Sequence, residues 1–246
     1  MWTAAWIFFY GAYNTVLFKD KGYLLIALAA SFVHFSFILA NLVLLVYFFA
    51  GNRNLIYLPL AILSFILPDL IAPYVQTIGG NLDGVIASRF DSYSNEAYIL
   101  ASQERMEQTA WFMQLKNDLL LNYLIFSIIY IQLRFHGMMN EKSNRNLFSF
   151  LLLFLSFINF GGVIPTVGGR FQIIFFLFAT IYIFHYIMKL PENRISVLTW
   201  VGLFPMALFS AVSFRQGADT INAWIISPGL GLPLFAPGVS LAELLF

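Results

Sequence analysis

The sequence predicts an all-α fold, a polytopic membrane helix bundle of about 6–8 transmembrane helices. Three observations carry this expectation. Of 246 residues, 60% are hydrophobic and only 10% are charged, whereas a soluble domain carries about 25% charged residues. The 28 phenylalanines add apolar surface that a globular core of this size could not hide, and lipid is its natural solvent. The apolar residues also fall into runs close to spanning length, separated by short polar turns and a single longer polar loop.

The apolar segments lie at roughly 2–18, 23–50, 55–72, 118–133, 147–164, 171–188 and 196–214. Met1 and Trp2 lead straight into the first, without the basic n-region or small-residue cleavage pattern of a signal peptide. The second is too long. Its 28 residues, at about 1.5 Å each, reach about 42 Å against a hydrocarbon core of about 30 Å. It must tilt steeply, protrude or break near Ser31–His34. The third ends in "ILPDLIAP", where Pro68 frees a carbonyl one turn back. Asp69 is read there as a backbone cap at the interface, with catalysis as the alternative.

Residues 73–116 form the longer polar loop, with Arg89, Asp91, Glu96, Glu104, Arg105 and Glu107 beside Tyr93 and Tyr98. Inside it, "NEAYILASQERMEQTAWFMQL" reads as an amphipathic helix. The tail, 221–246, holds Pro228, Pro233 and Pro237 with glycines among apolar residues, a poor spanning helix. It is expected to be re-entrant or interfacial, closing on a short helix at "SLAELLF". The whole chain, 1–246, is read as one transmembrane domain without internal repeats.

Seven alternating spans would place Arg53, Arg134, Lys142, Arg145, Lys189 and Arg194 on one side. Lys19, Lys21, Arg170, Arg215 and the long loop would lie on the other. Positive charge favours the cytoplasm for the first set. If 23–50 crosses twice, the segments before it flip relative to the rest.

Several chemistries are excluded. Net charge is +1, which argues against a nucleic-acid partner. The absence of cysteine removes disulfides, thiol nucleophiles and Cys-based zinc sites. There is no HExxH, GxSxG or P-loop pattern. His34, His136 and His185 sit on separate segments without metal-ligand spacing. No metal and no cofactor are expected.

Two kinds of residue remain as site candidates. Ala27, Ser31, His34, Ile38 and Asn41 recur at spacings of three and four, a small-and-polar stripe if they share one helix. His34 in that stripe handles a proton or substrate, or else makes an interhelical hydrogen bond worth about 1 kcal/mol. Arg170 in "VGGRF" and Arg215 in "FRQGAD" each lie beside glycine at the edge of an apolar run. In "GGVIPTVGGRFQIIFFLF", Pro165 is read as ending one span and Gly168-Gly169 as turning the chain. Arg170 then opens the next helix, where a guanidinium fork, backbone N–H groups and the helix dipole favour an anion. The plain reading is an arginine snorkelling to lipid headgroups. The charge run around Arg89 is read as a solvated face, with one of its carboxylates as an alternative general base.

At these residues the chain resembles the EpsG-like membrane proteins of bacterial exopolysaccharide clusters, relatives of the Wzy-type O-antigen and capsule polymerases. "NTVLFKDKGYLLIALAASFVHFSFILANLVLL" is similar to a family segment with a lysine turn, small residues and then a histidine (Lys19, Lys21, Ala29, Ala30, His34). "VIPTVGGRFQIIFFLF" is similar to the family's proline-then-arginine-aromatic turn. The resemblance covers roughly residues 10–190. It implies a multi-pass protein of the bacterial inner membrane that polymerises lipid-linked oligosaccharide repeats by glycosyl transfer from undecaprenyl pyrophosphate. His34 and Arg170 are carried over as catalytic, site-lining residues. Arg89 and Arg215 are added as substrate-binding residues from position and charge. The implied partners are the undecaprenyl-pyrophosphate-linked glycan, membrane lipid and other polysaccharide-assembly proteins. Family members have more helices upstream, so the chain reads as an N-terminally shortened member. The alternative function is a transporter or flippase of a lipid-linked or amphipathic solute, suggested by Gly/Pro-broken helices and a buried histidine. A membrane acyltransferase using His34 and Asn41 is a third reading.

Overall fold

A computed structural model describes residues 1–68, 111–135, 137, 141–162, 165–190 and 197–220. Among these residues the fold is all-helical. The eight helices are α1 (Trp2–Phe18), α2 (Lys21–Val33), α3 (Phe37–Ala50), α4 (Asn54–Leu63), α5 (Trp111–Arg134), α6 (Lys142–Gly161), α7 (Pro165–Ile187) and α8 (Val197–Thr220). Asp69, Arg89, His136, Arg194 and the tail lie outside the described residues, as does most of the polar loop. Its last residues, from Trp111, belong to α5.

Two compact units are distinguished. One takes residues 1–106 and 124–192, the other 107–123 and 193–246. In the first, α1 packs chiefly on α2, α4 on α6, and α6 on α7. The chain reverses between α1 and α2 through Lys19, in the left-handed region at φ 54°, and Asp20 then caps α2 by accepting a 2.6 Å bond from the Gly22 N–H. Of the three ways in which 23–50 could meet its excess length, the structure takes the break. α2 ends at His34, which is extended at φ −151°, and α3 starts three residues later.

That break corrects the stripe. Ala27 and Ser31 lie on α2, Ile38 and Asn41 on α3, and His34 in the turn between them. Ala27 is fully buried where Gly11 of α1 approaches it. Asn41 Nδ2 donates to Ser31 Oγ at 2.7 Å, joining the two arms of the hairpin. The periodicity was real, but a hairpin brought the polar pair together.

Most of the phenylalanine at the centre is used for packing. Phe8, Phe37, Phe150, Phe154, Phe171 and Phe178 are buried. Phe150–Phe178 and Phe37–Phe171 meet edge-on with centroids 5.0 Å and 5.6 Å apart, Phe8–Phe37 is tilted at 5.6 Å, and Phe8 stacks on Phe154 at 6.3 Å. Such pairs add about 0.5–1.5 kcal/mol beyond their buried area.

Polar side chains tie the helix ends opposite His34. The last carbonyls of a helix lack intrahelical partners. Asn146 Nδ2 supplies one, donating to Val16 O at 3.0 Å, while its Oδ1 accepts from Asn52 Nδ2 at 2.7 Å. Asn52 Oδ1 in turn accepts from the Tyr47 hydroxyl at 2.9 Å. Replacing Asn146 by Leu strands the buried Val16 carbonyl and the Asn52 amide. A loss of roughly 1–3 kcal/mol is expected, read as a lower thermal unfolding temperature of the detergent-solubilised chain. An unchanged temperature would show that the clamp contributes nothing.

The same end carries Lys19, Lys21, Arg53, Arg134, Lys142, Arg145 and Lys189, with Asp20 and Glu141 as its acids among the described residues. Lys189 pairs with Glu141 at 2.8 Å. Because 23–50 is two helices, Lys19 and Lys21 fall with Arg53 rather than with Arg170, and the charge asymmetry of this unit is sharper than seven alternating spans gave.

In the second unit, the first half of α5 runs antiparallel to α8. The Tyr123 hydroxyl donates to Leu198 O at 2.9 Å, and Lys116 Nζ to Ser213 Oγ at 3.2 Å. Lys116 also lies 5.4 Å from the Phe209 ring centroid. Two helical stretches, Gly168–Ile187 and Val197–Arg215, are long and apolar enough to cross a membrane. α2, α3 and α4 are shorter apolar helices.

Candidate functional site

Of the residues singled out in the sequence, the structure brings His34 and Arg170 to one end of the first unit. α2 runs from Lys21 toward the His34 turn, and α7 starts at that end and runs away from it toward His185. Phe37, just after the His34 turn, touches Phe171, just after Arg170. Arg170 and Ser36 line one recess of about 70 Å³, walled by Trp2, Trp6, Phe171 and Ile174. Its volume is that of a few water molecules at about 30 Å³ each, a small-group seat and not a slot for a sugar repeat.

Arg170 is half-buried. Its position differs from the expected one. α6 runs to Gly161, and Pro165 opens α7 instead of ending the preceding helix. The physical reason is that proline lacks an N–H that the first helical turn would leave unpaired, and its φ is already helical. Gly168 and Gly169 therefore lie inside the helix and do not turn the chain. Gly168 is buried, and a Cβ there would stand 2.7 Å from the Gly162 Cα, so its role is close approach of α7 to the end of α6. Arg170 lies one turn and a half into α7, above the unpaired N–H groups of the first turn.

His34 occupies the turn between α2 and α3. Its Nδ1 is 2.8 Å from Ser36 Oγ, and Nε2 has no hydrogen-bond partner among the described residues. Burial, then the positive amino terminus, then the Arg170 guanidinium hold the imidazole below its usual pKa. At neutral pH it is uncharged and able to accept a proton. Ser36 touches His34 and lines the Arg170 recess, and this unites two residues 136 positions apart that the sequence left on separate segments.

Ser36 escaped the sequence reading, although its spacing from His34 was visible as "HFS". It stands at the N-cap position of α3, where serine ordinarily accepts from a backbone N–H. Here it makes no such bond, and its hydroxyl is engaged with His34 instead.

The other predicted residues are not gathered there. Arg215 is exposed on α8, in the second unit, within the helix and not in a turn after it. Arg89 lies outside the described residues. His185, at the opposite end of the first unit, donates from Nδ1 to Asn144 Oδ1 at 2.9 Å and lies 3.2 Å from the Tyr13 hydroxyl, an interhelical clamp. Among the described residues no group of three His, Cys, Asp or Glu could hold a metal.

No curated protein and no solved structure matches the chain. The model of the EpsG family matches residues 2–224. That span contains both segments on which the resemblance rested, with His34, Ser36 and Arg170, and the chain belongs to the EpsG family.

Proposed function

We propose that this chain is a multi-pass protein of the bacterial inner membrane that polymerises lipid-linked oligosaccharide repeats by glycosyl transfer. Family membership fits an exopolysaccharide-related polymerase. The observation that carries the reading further is that Ser36, bonded to His34, lines one recess with Arg170 at the same end of the helices. In the reaction, an acceptor hydroxyl oxygen bonds to the anomeric carbon of the donor glycan. The bond from that carbon to the pyrophosphate oxygen breaks, and undecaprenyl pyrophosphate departs with the electron pair. Arg170 would hold the leaving diphosphate and offset its growing charge. His34 Nε2 would take the hydroxyl proton.

The membrane setting is supported by surface chemistry. Phe32 and Leu55 are each 94% exposed, and Phe49, Leu133, Trp200 and Phe204 are exposed as well. So many large apolar side chains left open to the surroundings are what a helix surface facing lipid carries. The Lys/Arg-rich end of the first unit would face the cytoplasm and the His34–Arg170 end outward. The undecaprenyl-pyrophosphate-linked glycan, membrane lipid and neighbouring polysaccharide-assembly proteins are the partners of this reading.

Deleting the gene in the producing strain and restoring it on a plasmid tests the reaction. Deletion should replace long polymer by single repeats that still reach the cell surface, and the plasmid should restore length. Unchanged chain length rejects the polymerase. Loss of even single surface repeats favours the flippase instead.

A further inference from the structure

We infer that Ser36 is a positioning residue for His34, accepting the Nδ1–H so that Nε2 is the bare nitrogen facing the reacting hydroxyl. This rests on the reading of His34 as the base.

The geometry leads there in three steps. The Ser36 hydroxyl lies 2.8 Å from Nδ1, within ordinary hydrogen-bond range. Its usual task at a helix start is absent, so the hydroxyl is free of the α3 backbone. A neutral imidazole carries one proton, and the bond made by one nitrogen decides the chemistry of the other. If Nδ1 holds the proton against Ser36 Oγ, Nε2 has a lone pair and no protein partner among the described residues to occupy it. Ser36 also lines the recess it shares with Arg170. The hydroxyl that fixes the imidazole therefore borders the space in which the diphosphate would lie.

The turn explains why a serine two residues away can do this. His34 is extended and Ser36 is already helical, so the chain doubles back within three residues and the side chains meet. The His34 ring also stands edge-on to Phe37, with centroids 6.3 Å apart, which limits its rotation. The charged groups acting on the imidazole are the amino terminus on α1 and Arg170 on α7, both cations.

A pH consequence follows. Only neutral His34 accepts a proton, so the rate rises with pH through its pKa and the acid limb lies below the usual histidine value of about 6.5. An acceptor at Nδ1 favours the imidazolium, which must keep its Nδ1–H. Removing that acceptor moves the limb to still lower pH while slowing the reaction, because the imidazole then samples the wrong tautomer.

The test uses the full chain in proteoliposomes, with lipid-linked repeats extracted from a polymerase-deficient strain as substrate. Ser36→Ala, Ser36→Thr and His34→Gln are compared by rate against pH, and the imidazole nitrogens are followed by ¹⁵N NMR of histidine-labelled protein. The expected result for Ser36→Ala is a fall of about tenfold to a hundredfold, a fraction of what a general base contributes. The acid limb shifts downward, the Nδ1–H population of His34 drops, and Ser36→Thr restores all three. An Ala variant with wild-type rate and limb, beside an inactive His34→Gln, overturns the role of Ser36 and leaves the base standing. An upward shift of the limb also overturns it, since Ser36 would then be the donor. A fully active His34→Gln overturns the base and its positioning together.

Discussion

On the proposed polymerase reading, Arg170→Ala should shorten the polymer to its first few repeats while the protein reaches the membrane at normal levels. Removing one preorganised partner of a developing negative charge costs about 10²–10³ in rate, enough to turn a processive elongation into an occasional event. Arg170→Lys should recover part of the length. Lysine keeps the charge but loses the planar fork that takes two diphosphate oxygens at once. The side chain is half-buried on α7 and shares its recess with Ser36, so protein level is measured beside chain length to separate chemistry from folding. Gel profiles of the polymer, normalised to protein level, decide it. A wild-type profile for the alanine variant removes Arg170 from the chemistry. A lysine variant as long as wild type would assign a headgroup-type charge contact in place of the fork.

Gly11→Ala should cost more than its single carbon suggests, and here the outcome is lost structure. A Cβ on Gly11 would stand 2.4 Å from the Ala27 nitrogen, 2.7 Å from the Ala27 Cα and 2.8 Å from the Tyr23 oxygen. All three are backbone atoms of α2, so no side chain can swing aside, and the α1–α2 pair must separate along its length. Overpacking typically costs about 1–3 kcal/mol, and the helix-propensity gain from Gly to Ala returns at most about 1 kcal/mol. Gly169→Ala is the matched control. It is equally helical, but nothing lies within 4 Å of its added carbon, so a small gain in stability is expected. Thermal unfolding of the two solubilised variants should therefore move in opposite directions. Equal shifts would mean that α1 and α2 accommodate the added carbon without cost, and would overturn the close-approach role of Gly11.

The first apolar segment was legible to the residue, 2–18, because a helix bounded by a Lys-Asp turn needs nothing beyond its own composition. The failure of 23–50 to form one straight span was legible from length alone, since about 42 Å does not fit about 30 Å. What replaced it was not. Tilting, protrusion and breaking meet the same length constraint, and the choice fell to the contacts of Gly11 with Ala27 and of Asn41 with Ser31. That choice then moved Lys19 and Lys21 to the other end of the unit.

Proline and glycine were misassigned around Arg170 for a related reason. Pro165 is compatible with the end of one helix and with the first position of the next, and sequence holds no term that separates the two. Gly168 was credited with a turn, whereas its small size serves contact with Gly162. A glycine required for close approach and a glycine required for a bend look the same until the neighbouring backbone is in place.

The sequence by itself determined the all-helical class, the exclusion of thiol and P-loop chemistry, the family, and His34 and Arg170 as the residues to watch, because each follows from residue types and short-range spacing. Only the tertiary structure decided that these two share one end, that Ser36 completes the pair, and that Arg215 belongs to a different unit. The physical reason is that side chains 136 positions apart are brought together by helix reversal and packing, and these depend on which backbones can approach closely.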